Sequence, residues 1–411
     1  MKPRPEPSPA GRPLVILGAS VRGLAESASR AGWNVHAADL FRDLDLVAAA
    51  REAVRVTGGS GGYPHGLAAA AAGFPPGAPW CYTGALENHP DLLAALASAR
   101  PLAGTPAATV ARIRDPALLA AAVTAAGLIF PDTHHGPDGL PTDGSYLVKP
   151  RASAGGRGIR AWDGTLAAVW PRSTATADRS AHVWQRRLTG VPVSASYVVA
   201  AGTARLIGVC RQLVGEAWCH APRFAWCGGV TEACPDWDAE FTRLGATLAA
   251  AFRPVGMIGV DAVVDEGGRI GVVEVNPRPT ASMELFERDR GISIAACHLS
   301  ACGHAAHREE AGPVDSGWQW AKAVLFTADD LAVSLPLVES LRRTAARWAA
   351  ADGGRTGIAD IPAADQMLAA GSPACTLFAR GRRPDDALDV LRERTGLVAD
   401  LLRESRPVVD A

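Results

Sequence analysis

The sequence predicts an α/β protein in three consecutive parts, on three observations. From Leu14 short apolar strands alternate with helical segments, the rhythm of a parallel sheet covered by helices. From Tyr146 the pattern changes to strands separated by turns, ending in two valine-rich stretches around Gly267-Gly268. From about residue 318 strands and long helices alternate again.

Residues 1–11 are rich in proline and polar side chains and read as a disordered tail, without the apolar stretch of a secretory leader. LVILG at 14–18 is the first strand, Ser20 to Gly32 a helix closed by glycine, and VHAAD the second strand. WCYTG at 80–84 and a helix from His89 to Ser98 complete a small parallel α/β domain assigned to 12–108. A helix from Arg112 to Ala126 opens the middle part, 109–305. YLVKP at 146–150, IRAW at 159–162, HVWQRRL at 182–188, SASYVVA at 194–200 and LIGVCRQLV at 206–214 follow as strands. A helix from Trp237 to Phe252 precedes the hairpin 257–275, and Ile292 to His307 reads as an alanine-rich helix. The last part, 306–411, holds strand AVLF, helix 336–351, the DIP turn at 360–362, strand ACTLFA and a helix over 384–403.

Apolar side chains make up 48% of the 411 residues, enough for a sizeable core. Forty-one basic against forty-two acidic side chains leave a net charge of −1, which argues against a nucleic-acid or membrane-surface binder. The longest apolar run, Ala117 to Phe130, is too short to span a bilayer. The expectation is a soluble, cytoplasmic chain acting on small molecules, with a homodimer as the default assembly. Eight cysteines without a CxxC pair form no disulfide framework. Cys297, His298, Cys302, His304 and His307 match no common zinc spacing, so buried thiols and exposed histidines are expected there, as for Cys219, Cys227 and Cys234.

The strongest local signal is MIGVDAVVDEGGRIGVVEVNPRP. A two-residue turn at Gly267-Gly268 would pair residues whose numbers sum to 535, placing Asp261 opposite Glu274 with Cβ atoms ~4.5–5.5 Å apart. Asn276 lies two residues further on the same face. Like charges opposite each other cost stability unless a cation lies between them. Two carboxylates and an amide oxygen suit Mg²⁺ holding phosphates; a solvated hairpin end with ordinary acids is the alternative.

The second signal is YLVKPRASAGGRGIR, a strand ending at Lys149 and a loop of small residues through Gly158. Such a loop lets backbone N–H groups approach an anion, and Lys149 and Arg157 add positive charge. Lys149 is one of only three lysines among the 41 basic residues. No GK[ST] follows, so the loop is not a Walker A motif. An ordinary hairpin remains the plainer reading of the loop alone.

Together these segments resemble the ATP-grasp superfamily of carboxylate–amine ligases and carboxylases, above all its biotin-carboxylase-related carboligases. The resemblance rests on VKP at 148–150, SAGGRG at 153–158, WQRRLTG at 184–190, EVNPRPT at 274–280 and Asp261. GASVRGLAESASRAG at 18–32, AADLFRDLD at 37–45, YTGALENHP at 82–90 and the C-terminal IADIPAADQMLAAGSPACTLFA extend it. It implies an ATP-grasp fold with an N-terminal Rossmann-like half-sheet precursor domain and a C-terminal α+β extension completing the ATP-grasp region. It implies ATP phosphate contacts from Lys149, and Ser153, Gly155, Gly156, Arg157 and Gly158 closing over the β- and γ-phosphates. Adenine contacts would come from the backbone of Gln185, Arg186, Arg187 and Leu188. Asp261, Glu274 and Asn276 would hold Mg²⁺, with Mn²⁺ as a stand-in, and Arg278 would act with Lys149 on the reacting groups. Where the family has an earlier nucleotide-binding lysine this chain has ARIRDP, with Arg112 or Arg114 as substitutes. Where an acidic ribose ligand is expected after Gly190 it offers Ser194 and Ser196. The implied activity is ADP-forming ligation, in which a small-molecule carboxylate becomes an acyl phosphate and is attacked by an amine. Biotin-carboxylase-like carboxylation is the alternative, and a nucleotide-binding regulator without turnover the third.

Gly18 to Gly23 followed by Asp39 lacks the G-x-G-x-x-G spacing and is read as precursor sheet, not a dinucleotide site. Arg22, Glu87 and Asn88 either face the crevice and bind the acceptor or belong to plain turns. Trp218, Arg223 and Trp226 are read as core or edge, with an acceptor pocket as the alternative.

Overall fold

Four parallel strands, β1 (Pro13–Leu17), β2 (Asn34–Asp39), β3 (Glu52–Arg55) and β4 (Trp80–Tyr82), form the first sheet in the order β3-β2-β1-β4. The computed structural model describes residues 11–57, 62–165, 181–232, 235–304 and 317–405. Strand alternation divides β1 between two cores: Leu14 and Ile16 pack with Leu24 and Ala28, and Val15 and Leu17 with Leu67 and Leu93. Helices α1 (Arg22–Arg30), α2 (Leu44–Ala49), α3 (Gly66–Ala72) and α4 (Pro90–Ala99) cover the faces. The strand order reverses between β1 and β4, so their carboxyl ends open on a crevice.

The single helix expected over Arg112 to Ala126 is two, α5 (Ala107–Ile113) and α6 (Pro116–Ala125). Pro116 forces Asp115 into an extended conformation, and Asp115 Oδ1 accepts from Ala117 and Leu118 N–H as the cap of α6. A small antiparallel sheet follows, β5 (Thr133–His134), β6 (Tyr146–Pro150), β7 (Arg160–Ala161) and β8 (His182–Arg186), in the order β5-β8-β6-β7. Its core is Tyr146, Val148, Trp162 and Trp184.

The largest sheet has eight strands in the order β13-β12-β9-β10-β11-β14-β18-β16. Its middle-part members are β9 (Val191–Ala200), β10 (Thr203–Val214), β11 (Trp226–Thr231), β12 (Gly256–Val264) and β13 (Ile270–Asn276), with α7 (Pro235–Phe252), α8 (Met283–Arg290) and α9 (Ile294–Ala301). From the last part come β14 (Gln319–Phe326), α10 (Leu335–Ala351), β16 (Ile358–Ala359), β18 (Pro373–Gly381) and α11 (Pro384–Glu404). β15 (Leu331–Ala332) and β17 (Met367–Leu368) pair separately. Helix α9 stops at Ala301, short of the expected His307, because Gly303 turns the chain with φ +83; His307 and Cys234 lie outside the described residues. No helix among the described residues is long and apolar enough to cross a membrane.

Arg22 ties the three parts together. Its guanidinium, 2% exposed, donates to Glu26 on its own helix, Glu284 on α8 and both oxygens of Asp360 after β16. It is therefore an interior clamp and has no donors to spare for an acceptor.

Candidate active site

The β12–β13 hairpin sets the first two residues. Gly259 pairs Asn276, Val260 pairs Val275 and Asp261 pairs Glu274, the register expected from the sequence. The turn is not the expected two-residue one: Asp265 N–H donates to Arg269 and Gly268 N–H to Asp265, with Gly268 at φ +76, a three-residue loop. Beyond it Val264 pairs Ile270, and a bulge at Val273 shifts the ladder back before Glu274.

Asp261 Oδ1 accepts from Gln212 Nε2 at 2.7 Å and Oδ2 from Asn276 Nδ2 at 2.9 Å. Asn276 turns its Oδ1 to Arg278 Nη2, 3.2 Å away. Burial, and then the Glu274 charge, push the Asp261 carboxyl up to about 6. Burial also works on Glu274, but Arg114 and Lys149 outweigh it and hold that carboxyl below its ordinary range. Arg114, at the end of α5, donates to Glu274 Oε1, to Asn88 Oδ1 at 2.8 Å and to the Arg151 carbonyl at 3.1 Å. Arg112 points elsewhere, to the Ala251 carbonyl and the Phe252 ring. Lys149 Nζ donates to Gln185 Oε1 at 2.8 Å, and burial draws its pKa down against the pull of Glu274 and Asp261. The two carboxylates are hard oxygen donors with an amide beside them, which fits a divalent cation of the Mg²⁺ kind.

The glycine loop spans the crevice. Asn88 Nδ2 donates to the Ser153 carbonyl at 3.0 Å, and Trp226 N–H to the Gly155 carbonyl at 3.1 Å. Gly155, Gly156 and Gly158 have φ of +63, +79 and +75, and a Cβ on Gly156 would stand 2.0 Å from the Phe224 carbonyl oxygen. Arg157 is exposed on the loop. In the linker, Arg186 N–H donates to Asp132 and Arg187 N–H to Ser145, and Leu188 packs on Gly271. Arg278 Nε and Nη2 both donate to Glu87 Oε1, at 2.9 and 2.7 Å.

Sequence reasoning missed Gln212, which had no motif around it, and could not choose Arg114 over Arg112. Of the three residues proposed for the crevice, Glu87 and Asn88 face the site. Asp39 is occupied by the N–H groups of Val21, Phe41 and Arg42, so it serves as a loop anchor. His298 accepts from Met257 N–H and donates to the Ala103 carbonyl, and burial pushes it down to about 4. It is buried where an exposed histidine was expected, since its ring joins strand β12 to the segment at Ala103. No group of three His, Cys, Asp or Glu residues among the described residues could hold a metal ion. Trp218 packs in the C-terminal core.

The ATP-grasp domain family matches residues 114–282, from Arg114 to Ser282. No curated protein matches the chain. Carboxyaminoimidazole ribonucleotide synthase from Aspergillus clavatus, complexed with ATP, is 14% identical with a TM-score of 0.65, covering 96% of this chain and 99% of that one. The biotin carboxylase domain of Hydrogenobacter thermophilus 2-oxoglutarate carboxylase, with MgADP and bicarbonate, is 12% identical at TM-score 0.63, covering 95% and 94%. L-amino acid ligase from Bacillus licheniformis is 15% identical at TM-score 0.63, covering 93% and 96%. Residues 114–282 thus carry an ATP-grasp domain, and nearly the whole chain shares the fold of these solved structures.

Proposed function

We propose that the chain is an ATP- and Mg²⁺-dependent enzyme that converts a carboxylate to its acyl phosphate and passes the acyl group to a second substrate, releasing ADP and phosphate. The observation that carries this reading is the convergence of Lys149, Arg114 and Arg278 around the Asp261–Glu274 pair. Three cations there meet three carboxylates, Asp261, Glu274 and Glu87, so a polyanion and a divalent cation entering together would keep the charges matched, the one engaging the cations and the other the carboxylate oxygens.

Lys149 and Arg114 then bind the ATP phosphates, and Ser153, Gly155, Gly156, Arg157 and Gly158 cover them. Because Arg186 and Arg187 N–H are engaged in the sheet, adenine contacts from the linker fall to Leu188 and the carbonyls of Gln185 to Arg187. Asp261, Glu274 and Asn276 hold Mg²⁺, or Mn²⁺, which supplies charge neutralisation at the transferring phosphoryl group. Arg278, fixed by Glu87, sits where charge builds on the activated carboxyl. The loop, docked on β11 and Asn88, excludes water from an intermediate that water would hydrolyse.

Amide-forming ligation and carboxylation share this first half. Carboxylation is the better supported second half: the structures similar to this chain include a carboxylase domain bound to MgADP and bicarbonate. Bicarbonate is therefore the acyl source to try first, ahead of larger carboxylic acids. The test is thermal unfolding of wild type and Glu274→Gln with and without Mg²⁺-ATP, followed by bicarbonate- and carboxylate-dependent ADP release. Ligand at 100 times its dissociation constant adds ~2.7 kcal/mol of stability. No Mg²⁺-dependent shift in the wild type would defeat the reading, and a shift without ADP release would favour a regulator.

A further inference from the structure

Glu87 is the buried acid of the site whose second oxygen has nothing to bind. Its side chain is 1% exposed in the turn Leu86–Asn88 after β4. Oε1 takes both donors of Arg278, whereas Oε2 is buried without a hydrogen-bond partner. Leaving a carboxylate oxygen so costs stability, and such an atom in a folded chain calls for an explanation. A carboxylate only accepts, so what Oε2 lacks is an N–H or O–H donor. Its neighbours supply none: Tyr63 Oη turns to the Gly84 carbonyl at 3.5 Å, and Tyr82 Oη to the Thr105 and Pro277 carbonyls at 2.8 and 3.2 Å. The atom lies at the carboxyl ends of β1 and β4, where the sheet opens, and one carboxylate away from Arg278.

We propose that Glu87 Oε2 is the receptor for the N–H group of a primary-amine acceptor and takes the proton which that nitrogen loses. This rests on the reading above, in which Arg278 lies beside the acyl phosphate. As the nitrogen lone pair forms the new C–N bond, the C–O bond to phosphate breaks and phosphate leaves with its electron pair. The nitrogen's proton passes to Glu87 Oε2, which becomes the neutral acid and later returns it to solvent. The same geometry serves acylation and carboxylation of the acceptor, since both place a nitrogen nucleophile between Glu87 and the electrophile.

Glu87→Gln isolates the atom in question, because the amide Oε1 still accepts from Arg278 while Nε2 replaces the unpartnered oxygen. The probe is ethylammonium, titrated by saturation-transfer NMR with and without Mg²⁺ and β,γ-imido-ATP. Tetramethylammonium, a cation without an N–H, is the control. Ethylammonium should bind wild type and lose at least about tenfold in affinity in E87Q, a 1.4 kcal/mol change; tetramethylammonium should not bind. No binding to wild type, equal binding to E87Q, or equal binding of tetramethylammonium overturns the proposal. If E87Q does not fold, carbodiimide labelling of Glu87 in wild type decides it: slowing by ethylammonium alone supports the site, and no slowing overturns it. Failure of β,γ-imido-ATP to bind defeats the ATP reading separately, since the ammonium titration without nucleotide stands on its own.

Discussion

Arg114 and Glu274 join the end of α5 to the last strand of the hairpin, and the same guanidinium reaches Asn88 of the first part and the Arg151 carbonyl. One side chain thus links Glu274, the first part and the approach to the glycine loop. Arg114→Gln should weaken Mg²⁺-ATP at least about tenfold by calorimetry. Arg112→Gln, whose partner is a backbone carbonyl away from the site, should change it less than about twofold. Equal losses would remove Arg114 from the nucleotide's contacts.

At Gly156 a methyl group would meet the Phe224 carbonyl at 2.0 Å, but at Gly155 it would meet open space. Gly156→Ala must lift the loop from β11, whereas Gly155→Ala pays only the left-handed backbone, about 1 kcal/mol. Nucleotide should protect the loop of wild type and Gly155→Ala from proteolysis and fail to protect Gly156→Ala. Equal protection would show that docking on β11 is unrelated to nucleotide.

Removing Arg22 leaves Glu26, Glu284 and Asp360 without their shared cation. Arg22→Met should cost ~3–5 kcal/mol in denaturant titration. Arg30→Met, at a side chain 56% exposed, should cost under ~1 kcal/mol. A small loss at Arg22 would mean the parts are held by packing alone.

Asp43 caps α2 through Oδ1, which accepts from Leu46 N–H, while its Oδ2 is buried without a partner. Burial, with Asp360 next, pushes this carboxyl from 3.8 up to about 8. The folded chain holds that proton more tightly than the unfolded one, so the contribution is full below about pH 4 and is lost as pH rises through 8. Asp43→Asn keeps the cap and drops the titration. At pH 8 its melting temperature should exceed wild type by ~2–4 °C for each kcal/mol recovered, the gap closing toward pH 4. A gap independent of pH would rule out Asp43 as its source.

The Asp261–Glu274 pair was legible because strand alternation and a short turn fix who faces whom. The turn itself was misread, and the pairing survived because the longer loop and the bulge at Val273 offset each other by one residue. The break at Asp115-Pro116 was written in the chain but hidden under a run of alanines that read as one helix. Strand β11 escaped notice because Gly228 and Gly229 break its apolar pattern. Gly228 is there for close approach, since a Cβ would lie 2.0 Å from the Lys322 carbonyl. Helix α8 was missed because its buried face carries Glu284, Glu287 and Arg288, charges whose partners, Arg22, Lys322, Arg30 and the Thr356 carbonyl, lie in other parts of the chain. The bond from Glu87 to Arg278 spans 191 positions, and no local pattern announces such a contact.

The position of β14 between β11 and β18 has a consequence for how the protein is made. When β11 leaves the ribosome its outer edge has no partner, and everything from Pro235 to Gln319 must be translated before one arrives. At ~5–20 residues per second that is a wait of several seconds with a bare strand edge, the feature that invites pairing with other chains. Slowing translation after residue 231 should therefore raise the share of aggregated nascent chains, and a nascent-chain holdase should relieve it.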